Sequence, residues 1–410
     1  MHALLICPVF PPEPVTSATT TQDLAEGLLQ SGHTVTVITA FPNRPEGRLY
    51  SGYSRRFRQV VRQSPEFTLV RVFSTLAPSP TFIGRSMENL TFGLSTLLTP
   101  WFRQANVVYG NTWPLIAAGL LTLHCRLHKV PLVLNIQDIY PESAMELGKL
   151  SREGQTARWL RFMDAWIGRQ ANYLVTLSQG FADFYRQVRE VPAEKIMIVP
   201  NWLDGEKIKP SSRVGAFREA NGISPETFVV MYAGNVGAVA GVQNVIKTAA
   251  LLIDEPRLLF VVAGDGSARP ECEALARELQ AENVTFFYPL RRSQVSDVQA
   301  AADLLVLPTQ PAGALTSVPS KLIAYMLSGR PVLAAVAPKS DIAKILTAAE
   351  SGIIIPPAAP VAMASKIRIL MGKRQVLERM GQKARLYAIQ NFDKKTCVSQ
   401  LVRLLETVAI

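Results

Sequence analysis

A lysine near the start of a predicted helix carries the clearest chemical signal in this sequence. Residues 316–336 (TSVPSKLIAYMLSGRPVLAAV) predict a loop, a helix with Pro319 as its first residue and Ser317 as its N-cap, and then a buried strand. The positive end of the helix dipole disfavours a cation, so Lys321 in the first turn either points into solvent or lies beside a bound anion. Together with Ser320 and the free amides of that turn, Lys321 predicts a phosphate site.

Three more loops of the same half follow predicted strands and could bind the rest of a nucleotide. These loops are residues 232–241, 261–271 and 288–294, which supply Gly234, Gly237, Gly264, Gly266 and Arg291. Glycine lets backbone N–H groups approach a phosphate, and parallel strands end at one sheet edge. Four such loops favour a nucleoside diphosphate site over unrelated turns. A dinucleotide fold is disfavoured, because Arg269 interrupts the G-x-G-x-x-G pattern that Gly264 and Gly266 begin.

Strand-like and helix-like patterns alternate along the whole chain. The predicted strands are residues 3–7, 34–40, 68–73, 106–110, 131–137, 172–178 and 196–200, then 227–233, 258–263, 284–288, 303–307, 331–336 and 352–355. Their continuous Val, Ile and Leu runs indicate parallel sheets that are covered on both faces. The pattern pauses around residues 199–204, so we predict two open α/β sheets of about 200 residues each, with the ligand in a cleft between them. Residues 374–408 are predicted to be wholly helical.

The composition indicates a folded protein without a metal site. The chain has 410 residues, of which 48% are hydrophobic and 18% charged. Its four cysteines and four histidines show no ligand spacing, so we expect free thiols in a reducing cytosol. No apolar run reaches the roughly 18 residues that a membrane span needs, and the first predicted strand begins too early for a signal peptide.

The formal charge of +11 raises the question of an anionic partner. Residues 44–62 hold six arginines against Glu46, and residues 90–102 place leucines and Trp101 on one helical face that Pro100 ends. A basic segment near an apolar stripe favours an anionic membrane surface. The alternative is a solvated arginine face and an ordinary core helix. Nucleic acid is not expected as a partner, because aromatic residues are not interleaved with the basic ones.

Four motifs, in this order, resemble the retaining glycosyltransferases of family 4, whose two Rossmann-like domains form the GT-B fold. The motifs are LLQSGHTVTVITAFPN (28–43), NIQDIYPES (135–143), EKIMIVPNWLD (194–204) and AADLLVLPT…PSKLIAYMLSGRPVLA (301–334). The resemblance implies an acceptor-binding domain at 1–203, a nucleotide-sugar-binding domain at 204–385, and a helix at 386–410 that packs back on the first domain. It also implies a bacterial enzyme of surface-polysaccharide synthesis at the cytoplasmic face of the plasma membrane.

The resemblance further implies a retaining hexosyl- or N-acetylhexosaminyltransferase. Its donor would be a nucleoside diphosphate sugar, with uridine as the expected base, and its acceptor a lipid-linked glycan or an oligosaccharide. The leaving phosphate would take the acceptor proton, so neither a metal nor another cofactor is expected. The residues implied in binding the donor and in stabilising charge on its β-phosphate are Gly234, Asn235, Gly237, Gly264, Gly266, Leu290, Arg291, Ser317, Ser320 and Lys321.

The first domain is implied to bind the acceptor. The candidate acceptor residues are Thr16, Ser17, Asn111 and Asp138, which follow or end predicted strands. Asp138 is the candidate general base or ligand of the acceptor hydroxyl. Its alternative role is the N-cap of a helix at 141–147, and capping is also the expected role of Glu142.

The sequence departs from the family pattern at three positions. Members commonly have two glutamates eight residues apart, and the matching positions here are Thr316 and Ala324. A lysine that is common after the first glycine loop is replaced by Ala238. Lys321 would supply the missing positive charge instead. Thr316 therefore stands with Asp138 and Lys321 as a candidate catalytic residue. Two alternatives share this fold: a nucleotide-sugar 2-epimerase and a non-catalytic nucleotide-sugar-binding subunit.

Overall fold

Strands and helices alternate to build two separate sheets, one in each half of the chain. The computed structural model describes residues 1–78, 81–112, 114–146, 148, 150–237, 240–309 and 319–409. The chain divides into two units, of which the first comprises Met1–Asn201 with Cys397–Ile410 and the second comprises Trp202–Thr396. Each unit is an α/β domain with its own apolar core.

The first unit contains an eight-stranded sheet. Its strands are β1 (His2–Ile6), β2 (Thr34–Ala40), β3 (Arg58–Arg62), β4 (Phe67–Val72), β5 (Val107–Asn111), β6 (Leu132–Ile136), β7 (Tyr173–Thr176) and β8 (Ile196–Ile198). They lie in the order β3-β4-β2-β1-β5-β6-β7-β8, and all neighbours are parallel except β3 and β4. The helices are α1 (Thr16–Gln30), α2 (Phe82–Leu97), α3 (Leu115–His128), α4 (Glu142–Glu146), α5 (Gln155–Gln170) and α6 (Gln179–Val188).

The second unit contains a six-stranded parallel sheet. Its helices and strands are α7 (Ala216–Ala220), β9 (Phe228–Ala233), α8 (Val242–Ala250), β10 (Leu258–Ala263), α9 (Arg269–Glu278), β11 (Val284–Phe287), α10 (Val295–Ala300), β12 (Leu304–Pro308), α11 (Ser320–Leu327), β13 (Val332–Ala335), α12 (Asp341–Ala348), β14 (Gly352–Ile355), α13 (Pro360–Leu370) and α14 (Arg374–Phe392). The strands lie in the order β11-β10-β9-β12-β13-β14.

The predicted strands lie within two residues of the observed ones at each end, and one strand was missed. β3 lies inside the basic segment 44–62 and pairs antiparallel with β4 at the sheet edge. Its sequence, RQVVR, lacks the apolar run of a buried strand because an edge strand is largely exposed. The first sheet is therefore not wholly parallel.

The helix that carries Lys321 begins one residue later than predicted. Pro319 has an extended backbone (φ −69°, ψ 138°), and its carbonyl accepts the first hydrogen bond of α11, from Leu322 N–H at 2.9 Å. Pro319 is thus the N-cap residue rather than the first helical residue. The predicted N-cap, Ser317, lies outside the described residues.

The helical segment 374–408 is interrupted at Asp393. There the backbone is extended, and a second helix, α15 (Lys394–Val408), follows. The Asp393 carboxylate accepts hydrogen bonds from Gly205 N–H and Lys395 N–H, both at 3.0 Å. α14 packs against α11, whereas Val398 of α15 contacts Gly27 of α1. The first unit consequently resumes at residue 397 rather than at 386.

Candidate active site

The predicted donor loops leave one edge of the second sheet. β11, β10, β9 and β12 are neighbours in one parallel sheet, so the segments after them share its carboxyl edge. The segment after β12, including the candidates Thr316 and Ser317, lies outside the described residues, as does Ala238. The described candidates at this edge are Gly234, Asn235 and Gly237 after β9, Gly264 and Gly266 after β10, and Leu290 and Arg291 after β11.

Lys321 contacts the first of these loops directly. It is the second residue of α11, and its half-buried side chain runs past Gly234. A Cβ atom at Gly234, where φ is +144°, would lie 2.6 Å from Lys321 Cε, so a glycine is needed here to leave room for the lysine. Lys321 Nζ lies 3.9 Å from the centroid of the Tyr232 ring and donates a hydrogen bond to the Tyr232 hydroxyl.

The charge of Lys321 has no carboxylate partner among the residues that the structure describes. Desolvation by the surrounding protein lowers the pKa of its ammonium group to about 8. A desolvated cation without a counter-ion is unfavourable, and the contact with the Tyr232 ring offsets only part of that cost. The N-terminus of α11, whose first residue is the exposed Ser320, lies beside Lys321. This arrangement can stabilise the negative charge of a phosphate group.

Two tyrosines that the sequence analysis missed hold the lysine and the glycine loop together. The Tyr232 hydroxyl donates to the Asn235 carbonyl at 2.5 Å. The Tyr325 hydroxyl, on α11, accepts from Ala233 N–H at 2.8 Å and donates to the Ala233 carbonyl at 3.0 Å. These bonds fasten α11 to the end of β9. The available signal was a tyrosine just before the glycine loop (MYAG) and another one turn beyond Lys321.

The loops after β9 and β10 are closely packed. A Cβ atom at Gly264, where φ is +142°, would overlap the carbonyl oxygen of Gly234. Gly234 N–H donates to the Ala263 carbonyl at 2.8 Å, and Val236 N–H donates to the Asp265 carbonyl at 2.9 Å. Glycine at 264 is therefore required by the close approach of two backbones, which fixes the shape of this edge of the sheet.

Arg269 connects the loop after β10 to the loop after β11. Its Nε donates to Asp265 Oδ1 at 2.8 Å, and its guanidinium carbon lies 3.6 Å from the centroid of the Tyr288 ring. Of the two predicted residues in the last loop, Leu290 is half-buried against the core of the second unit, whereas Arg291 is exposed. Arg291 is thus the one whose side chain is open to a ligand.

The predicted acceptor residues lie at the carboxyl edge of the first sheet, because β1, β5 and β6 are neighbours there. Thr16 is the exposed first residue of α1. Ser17 is half-buried, and its carbonyl accepts a hydrogen bond from the Thr21 hydroxyl at 2.8 Å. Asn111 is buried and donates from Nδ2 to Cys7 Sγ at 3.1 Å. Thr16 is consequently more accessible than Asn111.

Asp138 follows β6 at the same edge and stays exposed. Its Oδ2 accepts a hydrogen bond from the Ser143 hydroxyl at 2.7 Å, so it also fastens α4, which begins at Glu142 rather than at 141. Desolvation by nearby protein atoms raises the pKa of the Asp138 carboxyl even though part of the side chain is open to solvent. Glu142 is occupied by the buried guanidinium of Arg189 at 2.6 Å, which leaves Asp138 as the accessible carboxylate of the two.

Glu13 is a buried carboxylate that the sequence analysis did not single out. Its Oε1 accepts from Asn43 N–H and Arg44 N–H, both at 2.9 Å, and its Oε2 accepts from Phe10 N–H at 3.2 Å. Burial raises the pKa of Glu13 to about 7, although the N–H donors oppose that rise. Glu13 thus ties the segment before Thr16 to the segment after β2.

The basic segment and the apolar stripe meet on the first unit. The Arg58 guanidinium carbon lies 5.7 Å from the centroid of a Trp101 ring. The stripe divides in two: Phe102 is buried in the core, whereas Leu94 and Leu98 are exposed, with Leu98 68% exposed. Ile83 and Met87, also exposed, extend the same face of α2. Within the described residues, no helix is both long and apolar enough to cross a membrane.

Groups that could bind a metal are not found in the described parts of the chain. No three His, Cys, Asp or Glu side chains of those parts come together. All four cysteines, at positions 7, 125, 272 and 397, are buried, and none forms a disulfide.

Known proteins share both the domains and the order in which they occur. The sequence profile described as "Glycosyl transferase 4-like domain" matches residues 16–202, and "Glycosyl transferases group 1" matches residues 214–387. WcaI of Escherichia coli strain K12, which is named for a glycosyl transferase role in colanic acid biosynthesis, is 24% identical over 93% of this chain and 94% of its own.

Solved structures show which fold the two units have. Anabaena Alr3699/HepE in complex with UDP has a TM-score of 0.72 at 17% identity, covering 99% of this chain and 100% of that one. WaaG, a glycosyltransferase involved in lipopolysaccharide biosynthesis, has a TM-score of 0.67 at 21% identity, covering 98% and 99%. These two Rossmann-like domains thus have the GT-B fold of glycosyltransferases. The chain belongs to glycosyltransferase family 4, which confirms the resemblance found in the sequence.

Proposed function

We propose that this glycosyltransferase moves a sugar, with retention, from a uridine diphosphate sugar to a lipid-linked oligosaccharide in bacterial surface-polysaccharide synthesis. The observation that carries the donor half of the proposal is the desolvated ammonium of Lys321, which lacks a described carboxylate partner and lies against Gly234. The UDP and UDP-glucose complexes of HepE support uridine as the base. The named roles of WcaI and WaaG support a polysaccharide or lipopolysaccharide product.

In this proposal the second unit binds the donor. As the bond from the anomeric carbon to the β-phosphate oxygen breaks, negative charge develops on that phosphate. Lys321 and the first amides of α11 stabilise this charge, and the tightly packed loops of Gly234 and Gly264 keep those donors in place. The new bond forms between the acceptor oxygen and the anomeric carbon, and the acceptor proton passes to the leaving phosphate. No metal is required for these steps.

The first unit binds the acceptor in this proposal. Thr16 and Asp138 are the accessible polar side chains among the candidates at its sheet edge. Asp138 orients the acceptor hydroxyl, whose proton passes to the leaving phosphate. The lipid carrier would lie in the membrane, and the exposed leucines of α2 with the basic segment 44–62 would hold the enzyme at the cytoplasmic face.

The decisive experiment on the donor site replaces Lys321 by methionine, which has a similar length and no charge. UDP binding, measured by calorimetry, should weaken about 10- to 100-fold, which matches the roughly 1.5–3 kcal/mol of a hydrogen bond to a charged group. Release of UDP from UDP-glucose or UDP-N-acetylglucosamine should fall further, because the ammonium acts most strongly on the developing charge. The melting temperature should not fall, because the variant no longer desolvates a cation.

Lys247→Met is the matched control, since Lys247 is exposed on α8 of the same unit. It should leave UDP affinity and UDP release unchanged. If Lys321→Met binds and releases UDP as well as the unmodified protein does, the proposed donor site is wrong. If the sugar is recovered still joined to UDP but altered in stereochemistry, the epimerase alternative replaces the proposal.

A further inference from the structure

A groove on the first unit is lined by residues to which no ligand has been assigned above, although three of them, Tyr53, Gln59 and Val61, belong to the basic segment 44–62. Its volume is about 450 Å³, within the range of about 300–1,000 Å³ that is typical of ligand sites. Strands β3 and β4 form its floor, α1 forms one wall, and Phe10 and Pro11 lie at one end. We infer that this groove binds the sugar units of the acceptor oligosaccharide that lie beyond the reacting one. The inference rests on the proposed function, whose acceptor it specifies.

The floor exists because β3 pairs with β4. Gln59 lies opposite Arg71, and Val61 lies opposite Leu69. Alternation along a strand places Gln59, Val61 and Gln63 on one face of the sheet, where the groove has them. Val60 points to the other face. The strand that the sequence analysis missed is therefore the one that turns a sheet edge into a binding surface.

The wall is a stripe on α1. Gln22, Ala25, Glu26 and Leu29 follow helical spacing and line the groove. Gln22 Nε2 donates to Glu26 Oε1 at 2.9 Å, so the polar part of the wall is already ordered. A floor and a wall of regular secondary structure give a site that is formed before its ligand arrives, which lowers the entropic cost of binding.

The lining combines flat apolar rings with amide groups. Tyr53 and Phe67 contribute rings, and Gln22, Gln59 and Gln63 each contribute an amide with two donors and an acceptor. A sugar ring has C–H groups on its faces, which pack on aromatic rings, and hydroxyls at its edges, which pair with amides. The chemistry of the groove therefore matches a carbohydrate chain.

The charged and polar groups of the groove argue against a phosphate-rich ligand and against a lipid tail. Among the described residues that line it, Arg71 and Glu26 are the charged ones, so the lining has no net formal charge. Arg71 is buried and already donates to the carbonyls of Ala40 at 3.2 Å and Pro11 at 2.7 Å. A phosphate-rich ligand would meet little free positive charge here, and a lipid tail would bury three glutamine amides.

The groove starts at the edge where the acceptor residues lie. Pro11 and Arg71 lie at the carboxyl ends of β1 and β4, and Phe67 lies at the opposite end of β4. The segment of Phe10 and Pro11 leads directly into α1, whose first residue is Thr16. A glycan whose reacting end is at Thr16 can therefore extend along α1 over the floor of the groove.

Two neighbouring valines of β3 provide a matched test. Val61 lines the groove and is 38% exposed, and Val60 faces the other way and is 47% exposed. Tryptophan is accepted in exposed strand positions, so Val61→Trp should fill the groove and Val60→Trp should not. The probe is a printed array of defined bacterial oligosaccharides, from disaccharides to hexasaccharides. UDP binding by thermal shift is recorded for each protein in parallel.

We expect the unmodified protein to bind oligosaccharides longer than a disaccharide, Val60→Trp to bind them equally, and Val61→Trp to bind them about tenfold more weakly or worse. All three should respond to UDP alike. If Val61→Trp does not fold, the double variant Gln59→Ala with Gln63→Ala, which removes amides without adding bulk, takes its place.

Two outcomes would overturn the inference: an unmodified protein that binds no oligosaccharide on the array, or equal loss of binding in Val60→Trp and Val61→Trp. Failure of the proposed function gives a different result. In that case the unmodified protein would ignore UDP, while the oligosaccharide signal and its loss in Val61→Trp would persist.

Discussion

The charge on Lys321 depends on pH within the range in which enzymes are assayed. Its pKa is lowered to about 8 in the folded protein, whereas the pKa of a lysine in an unfolded chain is about 10.4. Between these values the unfolded chain binds more protons, so the unliganded protein gains stability as the pH rises through this window. A bound diphosphate has the opposite effect, because it stabilises the ammonium and raises its pKa.

UDP affinity should therefore fall as the pH rises above about 8, approaching a tenfold loss per pH unit once the ammonium is deprotonated in the free protein. Calorimetric titrations between about pH 7 and pH 9 measure this change. Lys321→Met serves as the control, because any remaining pH dependence in that variant belongs to UDP or to other groups. Equal pH dependence in both proteins would show that the ammonium does not contact the nucleotide.

Reasoning from sequence could identify Lys321 and Gly234, but not the two tyrosines that hold them together. A cation in a first helical turn is unusual in itself, and glycine after a buried strand is a local signal. Tyr232 and Tyr325 could not be assigned in the same way, because their roles depend on contacts between residues 89 and 92 positions apart. Glu13 was missed for a related reason, since two of its three N–H partners, Asn43 and Arg44, come from a different strand connection.

At the scale of strands and loops, the shape of the carboxyl edge of the second sheet depends on how closely the connections after β9 and β10 approach each other. A side chain at residue 264 would overlap the Gly234 carbonyl, which belongs to the neighbouring connection. Moving the backbone of either connection would break the hydrogen bonds between the two. It would also move Gly234 away from the side chain of Lys321. If phosphate binds at this edge as proposed, its binding and the local folding are therefore coupled.

Gly264→Ala should lower the free energy of unfolding by about 2 kcal/mol or more and abolish the UDP-induced thermal shift. Gly222→Ala is a suitable control, because Gly222 also has a positive φ, +63°, but a Cβ atom there would meet no heavy atom within 4 Å. That control should lose about 1 kcal/mol from backbone strain alone and keep its UDP response. A Gly264→Ala protein as stable and as responsive as the control would contradict this account of the edge.

Secondary structure was predictable wherever a strand is covered on both faces. The strands of the second sheet could be located within a residue, because each is a run of apolar residues bounded by polar or small ones. β3 could not, because an exposed edge strand has the composition of a charged loop. The break at Asp393 was also missed, although an aspartate that accepts from Lys395 N–H two residues on is a local capping signal; the second bond of its carboxylate, from Gly205 N–H, joins residues far apart in the sequence.

Across the whole molecule, the charge of +11 and the exposed leucines of α2 bear on where the enzyme works. The apolar face of α2 ends close to Trp101, which Arg58 overlies, so apolar and basic groups occupy one region of the first unit. Basic groups are attracted to anionic headgroups, and leucine side chains gain free energy by leaving water. Both effects would add at a bilayer surface.

The protein should sediment with vesicles of phosphatidylglycerol and phosphatidylcholine and remain in solution with phosphatidylcholine alone. Salt should weaken the binding, because it screens the attraction to the headgroups. Leu98→Ser should lower affinity about tenfold through lost apolar burial. Leu386→Ser, at a leucine of the second unit that is 64% exposed against 68% for Leu98, should have no effect. Equal effects of the two variants would rule out α2 as the membrane contact.

The discontinuity of the first unit has a consequence for biosynthesis. The second unit is one uninterrupted stretch, whereas the first is completed only by α15, where Glu406 pairs with His33 at 2.8 Å and Val398 packs on Gly27. On a ribosome, every residue of the second unit emerges before Cys397, where the first unit resumes. Until α15 is synthesised, the side of α1 that it covers is exposed in the nascent first unit. In a fragment that ends at residue 201, that side of α1 would stay exposed.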